Sequence, residues 1–371
     1  MQQNAHNRQK DGMKAGLAGL CLNLLLGAGK LAAGILSGSM SLITDAANNL
    51  SDAGSSVVTV SAFALSDRKA DREHPYGHGR YEYIASFLIG IIIIVVGVEF
   101  MITSVRKIIS SQPVTMTTLG IVVLCVSIGV KLFMTLFYRI TAKKISSDAL
   151  KAAAFDSLSD CFVSLVVLAS FVTAQFAPFN IDGYCGALVS VFVAVGGIKI
   201  VHETMNKLLG NGSSPELEQK ITDLVSSGEE VVGVHDLRLH DYGPSVCVGS
   251  VHAEFDKNLS IIEAHRIIDG LEKRAFFELG VDLVIHVDPI DATDPELNAL
   301  RNSIREIIKS YHKSSIHELQ LNKEEKKVSF HIKLSQKYEA IEEQVLQTLT
   351  KSVQSLYPDF SVEIEFDIMY K

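Results

Sequence analysis

The sequence lacks the features that mark a nucleic-acid-binding or disulfide-stabilised protein. Its 371 residues carry a formal net charge of −8, whereas binding to phosphates needs a basic surface. We therefore expect no nucleic-acid partner. The five cysteines include no C-x-x-C pair and no even framework, so we interpret them as small apolar residues in a chain without disulfides.

Motifs of ATP-driven pumps and of common hydrolases are also missing. Neither a P-loop nor a G-x-S-x-G sequence occurs. His202-Glu203 begins like a zinc-protease helix, but Asn206 stands where that motif needs a second histidine. We expect no enzymatic activity and no permanent cofactor. The polar start also lacks the short apolar core of a cleavable signal peptide.

Charge is absent from long stretches of the first half of the chain. Ile108–Val130 and Cys161–Ile181 contain no charged residue, and the mean hydropathy of the whole chain is +0.25. Six apolar segments are each long enough to cross a hydrocarbon layer of roughly 30 Å as a helix. We predict these transmembrane helices at residues 14–36, 39–66, 82–109, 114–141, 148–174 and 183–206.

The distribution of Lys and Arg predicts the orientation of these helices. Basic residues cluster before the first span and in the connections after the second and fourth spans. The connections 37–40 and 174–180 contain no Lys or Arg. Because basic loops remain on the cytosolic side, both termini are expected in the cytosol.

The composition changes after Leu209, where residues 210–215 indicate a linker. A helix at 216–227, strands at 234–239 and 246–255, a helix at 261–279 and a strand at 281–287 predict an αββαβ unit. Residues 291–371 repeat this pattern, either by tandem duplication or by chance likeness of short motifs. The predicted domains are 1–209 (membrane), 210–290 (cytosolic α+β) and 291–371 (second copy).

Acidic and amide residues occur inside two of the predicted spans. Asn48 and Asp52 in the second span, and Asp156 and Asp160 in the fifth, are each four residues apart and share a helical face. Carboxylates inside a membrane cost several kcal/mol and rarely remain unpaired. A divalent cation would offset this cost. The alternative, polar contacts that hold helices together, explains the neighbouring serines better than three acids.

Other polar residues in the spans leave alternatives open. Lys30 and Lys131 either pair with these acids or extend to the membrane edge. Asp45 lies one turn from Asn49, and the two form either an alternative pair or part of the path to the site. Four oxygen donors favour Mn²⁺, Mg²⁺ or Fe²⁺ over Zn²⁺. Carboxylates that bind protons when the metal leaves provide a route to metal–proton exchange.

The connection after the second span contains a second group of possible ligands. Asp71, His74 and His78 lie within one short turn, and Gly77 and Gly79 permit a tight backbone. This segment is either a metal site or an ordinary polar loop.

The histidines of the cytosolic part predict a third site. His235, His252 and His286 lie on predicted strands, Asp288 shares a strand face with His286, and His265 lies on the predicted helix. Several imidazoles converging with an acid indicate a metal site with nitrogen and oxygen ligands. The second copy offers His317, His331, Glu365 and Asp367. Glu365 there replaces an imidazole, so a further site is an open alternative.

Taken together, the first 290 residues resemble the cation diffusion facilitator family. The motifs are Leu50-Ser51-Asp52, His74-Pro75-Tyr76-Gly77-His78-Gly79, Asp156-x-x-x-Asp160, Asp182-Gly183, Gly233-Val234-His235-Asp236-Leu237 and Ile285-His286-Val287-Asp288-Pro289. The resemblance implies a homodimer in the plasma membrane of a bacterium, which exchanges a cytosolic divalent ion for protons by alternating access. It also implies a metallochaperone-like (ferredoxin-like) cytosolic domain that pairs the protomers when metal binds.

The resemblance also assigns roles to residues. It implies a transport site at Asn48, Asp52, Asp156 and Asp160, a loop site at Asp71, His74 and His78, and a cytosolic site at His235, His252, His286 and Asp288, joined by His265 as an option.

The resemblance bears on the choice of metal as well. Zinc-transporting members usually carry His at the position of Asp156, so this chain resembles the manganese-exporting branch. We therefore expect Mn²⁺ as substrate and regulator, with Fe²⁺ or Zn²⁺ as alternatives. A membrane-tethered metal sensor without transport is the alternative of another class. The second αββαβ copy lies outside the common family pattern.

Overall fold

A computed structural model describes residues 2–37, 40–109, 118–176, 182–210, 214–244, 246–291, 293–311 and 314–369. The chain forms two compact units, Met1–Gly212 with His240–Cys247, and Ser213–Leu239 with Val248–Lys371. Both predicted αββαβ copies fall mainly in the second unit. Half of the predicted linker, residues 211–213, lies outside the described residues. The connections between the first two helices, the third and fourth, and the fifth and sixth also lie outside them.

The six long helices predicted from hydropathy are present. They are α1 (Gln2–Ser37), α2 (Met40–Ser66), α3 (Tyr81–Ile109), α4 (Thr118–Ile145), α5 (Asp148–Phe176) and α6 (Asp182–Leu208). Within the described part of the chain, five of them are long and apolar enough to cross a membrane. The sixth, α2, is more polar because it carries the stretch from Asp45 to Asp52. The prediction of six membrane helices is therefore confirmed.

The helices pack as close pairs, α1 with α2, α3 with α6, and α4 with α5, and α2 also contacts α5. Small residues permit the closest approach. A Cβ atom on Gly97 of α3 would lie 3.0 Å from the backbone nitrogen of Ala194 in α6. Phe63 of α2, Met134 of α4 and Leu150 of α5 belong to one buried apolar cluster. This packing brings α2, α4 and α5 together.

The first αββαβ copy begins after the membrane helices. It consists of α7 (Pro215–Ser226), β1 (Val231–Asp241), β2 (Cys247–Asp256), α8 (Ile261–Arg274) and β3 (Val281–Ile290), with strand order β1-β2-β3. The hydroxyl of Ser214 caps α7, and a reciprocal capping box between Ser260 and Glu263 starts α8. The predicted helix at 261–279 ends in one π-helical turn at Ala275–Leu279.

The second copy has the same order of elements. It consists of α9 (Pro295–Ile308), β4 (Ser315–Asn322), β5 (Lys327–Ser335), α10 (Glu342–Leu356) and β6 (Ser361–Met369), with strand order β4-β5-β6. β5 pairs antiparallel with β4 and parallel with β6. The buried side chains of Val328, Phe330 and Ile332 on β5 form its core with Leu349 and Val353 of α10.

An unusual backbone feature recurs in the two copies. Asp236 on β1 has φ of 50° and Glu318 on β4 has φ of 55°, and each directly follows a histidine, His235 or His317. Left-handed conformations are uncommon for residues other than glycine. Their recurrence at matching positions supports the predicted duplication. The two copies share their order of elements, and the domain boundary at residue 290 stays a prediction.

Candidate metal sites

Three carboxylates converge between the membrane helices. Asp52 of α2 and Asp156 and Asp160 of α5 each place one oxygen so that all three oxygens lie within 4.8 Å of one another. The i, i+4 spacing puts Asp156 and Asp160 on one face of α5, and the α2–α5 contact brings Asp52 to that face. At 1.5 Å per residue, the cluster lies about 20 Å from the Ser66 end of α2. It is therefore deep in the helical unit.

Lys131 pairs with two acids of this cluster, as one of the two alternatives predicted, whereas Lys30 pairs with Asp45, which lies outside the cluster. The ammonium of Lys131 on α4 lies 2.6 Å from Asp52 Oδ2 and 2.5 Å from Asp160 Oδ2. Lys30 of α1 pairs with Asp45 of α2 at 2.8 Å. Both lysine side chains are only 4% exposed, so these cations are withdrawn from solvent.

The two neighbouring asparagines of α2 differ in their surroundings. Asn49 is buried, and its Nδ2 donates to Asp52 Oδ2 over 3.4 Å. Its Oδ1 has no hydrogen-bond partner among the described residues. Asn48 is exposed. Positions three and four residues before Asp52 both lie near its helical face, so spacing alone does not rank the two amides. Asn48 stays the predicted ligand, and Asn49 is the amide in contact with Asp52.

The loop between α2 and α3 brings its three predicted ligands together. Asp71, His74 and His78 each offer a ligand atom within 4.8 Å of the others. Asp71 Oδ1 accepts the backbone N–H groups of Glu73 and His74, and Gly77 adopts φ of 82° to complete the turn. The hydrogen bond from the His74 backbone lowers the pKa of Asp71, so this ligand is ionised at neutral pH. His78 is buried.

The cytosolic unit assembles three of its predicted ligands around one carboxylate. Asp288 Oδ2 lies 3.1 Å from His235 Nε2 and 2.9 Å from His252 Nδ1. His235, His252 and Asp288 have one ligand atom each within 4.8 Å of the others. His286 Nε2 lies 3.3 Å from the other oxygen, Asp288 Oδ1, and its side chain is 65% exposed. His265 is exposed on α8, outside this group of donors.

Two further acids surround His235. Its Nδ1 lies 3.5 Å from Asp236 Oδ2, and its Nε2 lies 3.9 Å from Glu254 Oε1. Burial by itself lowers the pKa of His235, but the hydrogen bond to Asp236 and the charges of Asp288 and Glu254 outweigh it, so the pKa is raised. The sequence interpretation missed Glu254, although it lies two residues after His252 on the same face of β2.

The second copy aligns its candidate residues across the sheet. His331 of β5 pairs in register with His317 of β4 and with Glu365 of β6. His331 Nε2 lies 3.7 Å from Glu318 Oε2 and 3.5 Å from Glu365 Oε2. The side chains of His317 and Asp367 lie outside the described part of the structure. A metal site in this copy therefore stays a prediction.

Cations of the second copy border the cytosolic site of the first. The ammonium of Lys333 lies 2.9 Å from Asp236 Oδ1. His235 and Glu254 line a cavity of about 280 Å³ together with Arg305 and Lys309 of α9. The cytosolic candidate site thus opens toward basic side chains of residues 291–371.

Comparison with known proteins matches both parts of the chain. A model described as cation efflux transmembrane domain matches residues 16–209, and one described as cation efflux protein, cytoplasmic domain, matches residues 213–290. Neither model extends beyond residue 290.

Curated relatives agree with these matches. An uncharacterized transporter of Methanocaldococcus jannaschii is 30% identical over 270 residues, which cover 72% of this chain and 95% of the relative. The cation-efflux pump FieF of Shewanella oneidensis is 28% identical over 263 residues, 70% of this chain and 88% of the relative. FieF of Escherichia coli is 25% identical over 284 residues, 76% of this chain and 94% of the relative.

Proposed function

This chain belongs to the cation efflux family, and from that membership we propose that it exports Mn²⁺ from the cytosol in exchange for protons. The family makes it a membrane transporter of cations and not an enzyme. Alternating access in a homodimer is the mechanism we propose, with both termini in the cytosol and the helices in the plasma membrane of the cell.

The carboxylate cluster carries the proposal. Asp52, Asp156 and Asp160 offer one oxygen each within 4.8 Å, and amide oxygens of α2 are close in sequence. Oxygen donors without imidazole or thiolate suit Mn²⁺ better than Zn²⁺. Carboxylates must lose their protons to bind metal, so metal release and proton uptake are naturally coupled at such a site. Fe²⁺ and Zn²⁺ are the alternative substrates.

The other two clusters support a regulatory role for metal in the cytosol. The set of His235, His252 and Asp288 combines imidazole and carboxylate donors, which fits a first-row divalent ion. We propose that metal bound there, and at Asp71, His74 and His78, pairs the protomers and favours transport.

Transport by purified protein tests the proposal. Vesicles containing the native chain should accumulate Mn²⁺ while protons move in the opposite direction, and Asp160→Ala should abolish this uptake because it removes a ligand. Glu99→Ala, an exposed acid of α3, is the matched control and should transport like the native chain. Undiminished uptake by Asp160→Ala would reject the site.

Competition between metals tests the choice of substrate. Zn²⁺ added in excess should compete weakly with Mn²⁺ in the native chain. Replacing oxygen donors by imidazole in Asn48→His and Asp156→His should shift preference toward Zn²⁺. Equal competition by Zn²⁺ in the native chain would favour a zinc exporter instead.

A further inference from the structure

The ammonium of Lys131 lies inside the carboxylate cluster. It is within hydrogen-bonding distance of Asp52 Oδ2 and Asp160 Oδ2, from two different helices, and its side chain is 4% exposed. Lys131 lies on a third helix, α4, and is almost completely buried. A cation from the protein itself therefore binds two of the three carboxylates that the proposed cargo needs.

The ammonium and a metal ion compete for these carboxylates. A small divalent ion sits roughly 2.1 Å from its carboxylate oxygens. Lys131 Nζ lies 2.5 Å from Asp160 Oδ2, so the two cations would occupy nearly the same volume. Their like charges also repel strongly in a medium of low dielectric constant. Metal entry therefore requires the ammonium to move.

The charges of the cluster match this exchange. The three carboxylates of Asp52, Asp156 and Asp160 together with the Lys131 ammonium give a formal charge of −2, which one divalent ion balances. Without the metal, the lysine offsets part of the carboxylate repulsion. Neither state leaves the acids without a nearby cation, and unpaired acids are costly inside a membrane.

A second polar group is available to the displaced ammonium. Ser127 lies four residues before Lys131, one turn away on the same face of α4. Its hydroxyl is buried, and Oγ has no hydrogen-bond partner among the described residues. The lysine stem is flexible, and its ammonium has three hydrogen-bond donors. Helical side chains incline toward the start of the helix, which is the direction of Ser127 from Lys131. Ser127 Oγ can thus accept a hydrogen bond from the ammonium when the carboxylates bind a metal ion.

We propose that Lys131 is a tethered counter-ion that competes with the divalent cargo for Asp52 and Asp160. This inference rests on the proposed transport function. In the part of the cycle without cargo, the ammonium binds the two carboxylates and permits the helices to return. When cargo is bound, the attraction of the Lys131 ammonium to the carboxylates weakens metal binding and promotes release of the metal ion. Lys131 therefore lowers the affinity for cargo and raises the rate of turnover.

The test is a split between the affinity and the rate of Mn²⁺ transport. In vesicles containing Lys131→Met, the half-saturating Mn²⁺ concentration should fall roughly ten-fold or more, because the positive charge that competes with the metal ion has been removed. The maximal rate should fall at the same time, because release is slower. Lys131→Gln, which keeps a polar side chain, should show the same two changes.

Lys30→Met is the matched control, since Lys30 is equally buried but pairs with Asp45 outside the cluster. Its effect on the half-saturating concentration should be clearly smaller. A rate that falls in both Lys131 variants without tighter Mn²⁺ binding would overturn the proposal and make Lys131 a structural ion pair. Equal effects of Lys131→Met and Lys30→Met would also overturn it. Absence of Mn²⁺ transport by the native chain would instead reject the proposed function.

Discussion

Asp288 is the carboxylate on which the cytosolic candidate site depends. One of its oxygens contacts His235 and His252, and the other contacts His286. The side chain is 13% exposed, so water does not easily replace these contacts. Three imidazoles around one acid form a site in which removal of the acid affects every other ligand.

Asp288→Asn should weaken Mn²⁺ binding to isolated residues 210–371 by about ten-fold or more, because the variant loses a charged ligand and the group that orients the imidazoles. Calorimetric titration measures this change. Asp269→Asn is the matched control, since Asp269 forms an exposed pair with Lys273 on α8. Equal binding by Asp288→Asn and the native fragment would show that metal, if bound, uses other residues.

Close packing of two helices, α3 and α6, depends on residues without side chains. Gly97 faces Ala194 so closely that an added Cβ would contact its backbone nitrogen at 3.0 Å. Another glycine inside a membrane helix, Gly129 of α4, has no atom within 4 Å of such a Cβ among the described residues. The two positions have the same residue type but opposite packing requirements.

Gly97→Leu should therefore destabilise the helical unit by about 1–3 kcal/mol, since the added side chain forces α3 and α6 apart. The Gly129→Leu variant should have a melting temperature close to that of the native chain. Thermal unfolding of the detergent-solubilised proteins, followed by circular dichroism, measures both. Equal melting temperatures for the two variants would contradict the close approach of α3 and α6.

For the whole molecule, the second αββαβ copy places positive charge beside the cytosolic site of the first. Lys333 reaches Asp236, which contacts His235, and Arg305 and Lys309 line the cavity that His235 faces. The family models end at residue 290, so these basic residues lie in a part of the chain that the models do not cover. A role in lowering the metal affinity of the cytosolic site follows from Coulomb repulsion.

Lys333→Met should accordingly strengthen Mn²⁺ binding to residues 210–371, by roughly three-fold to ten-fold for a partly screened charge. Lys327→Met is the control, because Lys327 lies on the same strand but pairs with Glu363. Titration calorimetry compares the two. Unchanged or weaker binding in Lys333→Met would exclude an electrostatic role of the second copy at this site.

The sequence by itself determined the elements and the chemistry they carry. Hydropathy located the six long helices, five of which are long and apolar enough, within the described residues, to cross a membrane. The alternating pattern located the strands of the first αββαβ copy, and repeated motifs predicted the second copy. The i, i+4 spacing of Asp156 and Asp160 put them on one helical face. These properties depend on residues that are close together in the sequence, so the sequence pattern predicts them.

Only the tertiary structure decided which residues meet. It brought Asp52 to Asp156 and Asp160, put the Lys131 ammonium between two of the acids, and showed the hydrogen bond from Asn49 to Asp52. It also placed Lys333 beside the site of the other copy. These contacts depend on how each helix is rotated and on how distant segments pack. The spacing of residues along the chain therefore does not predict them.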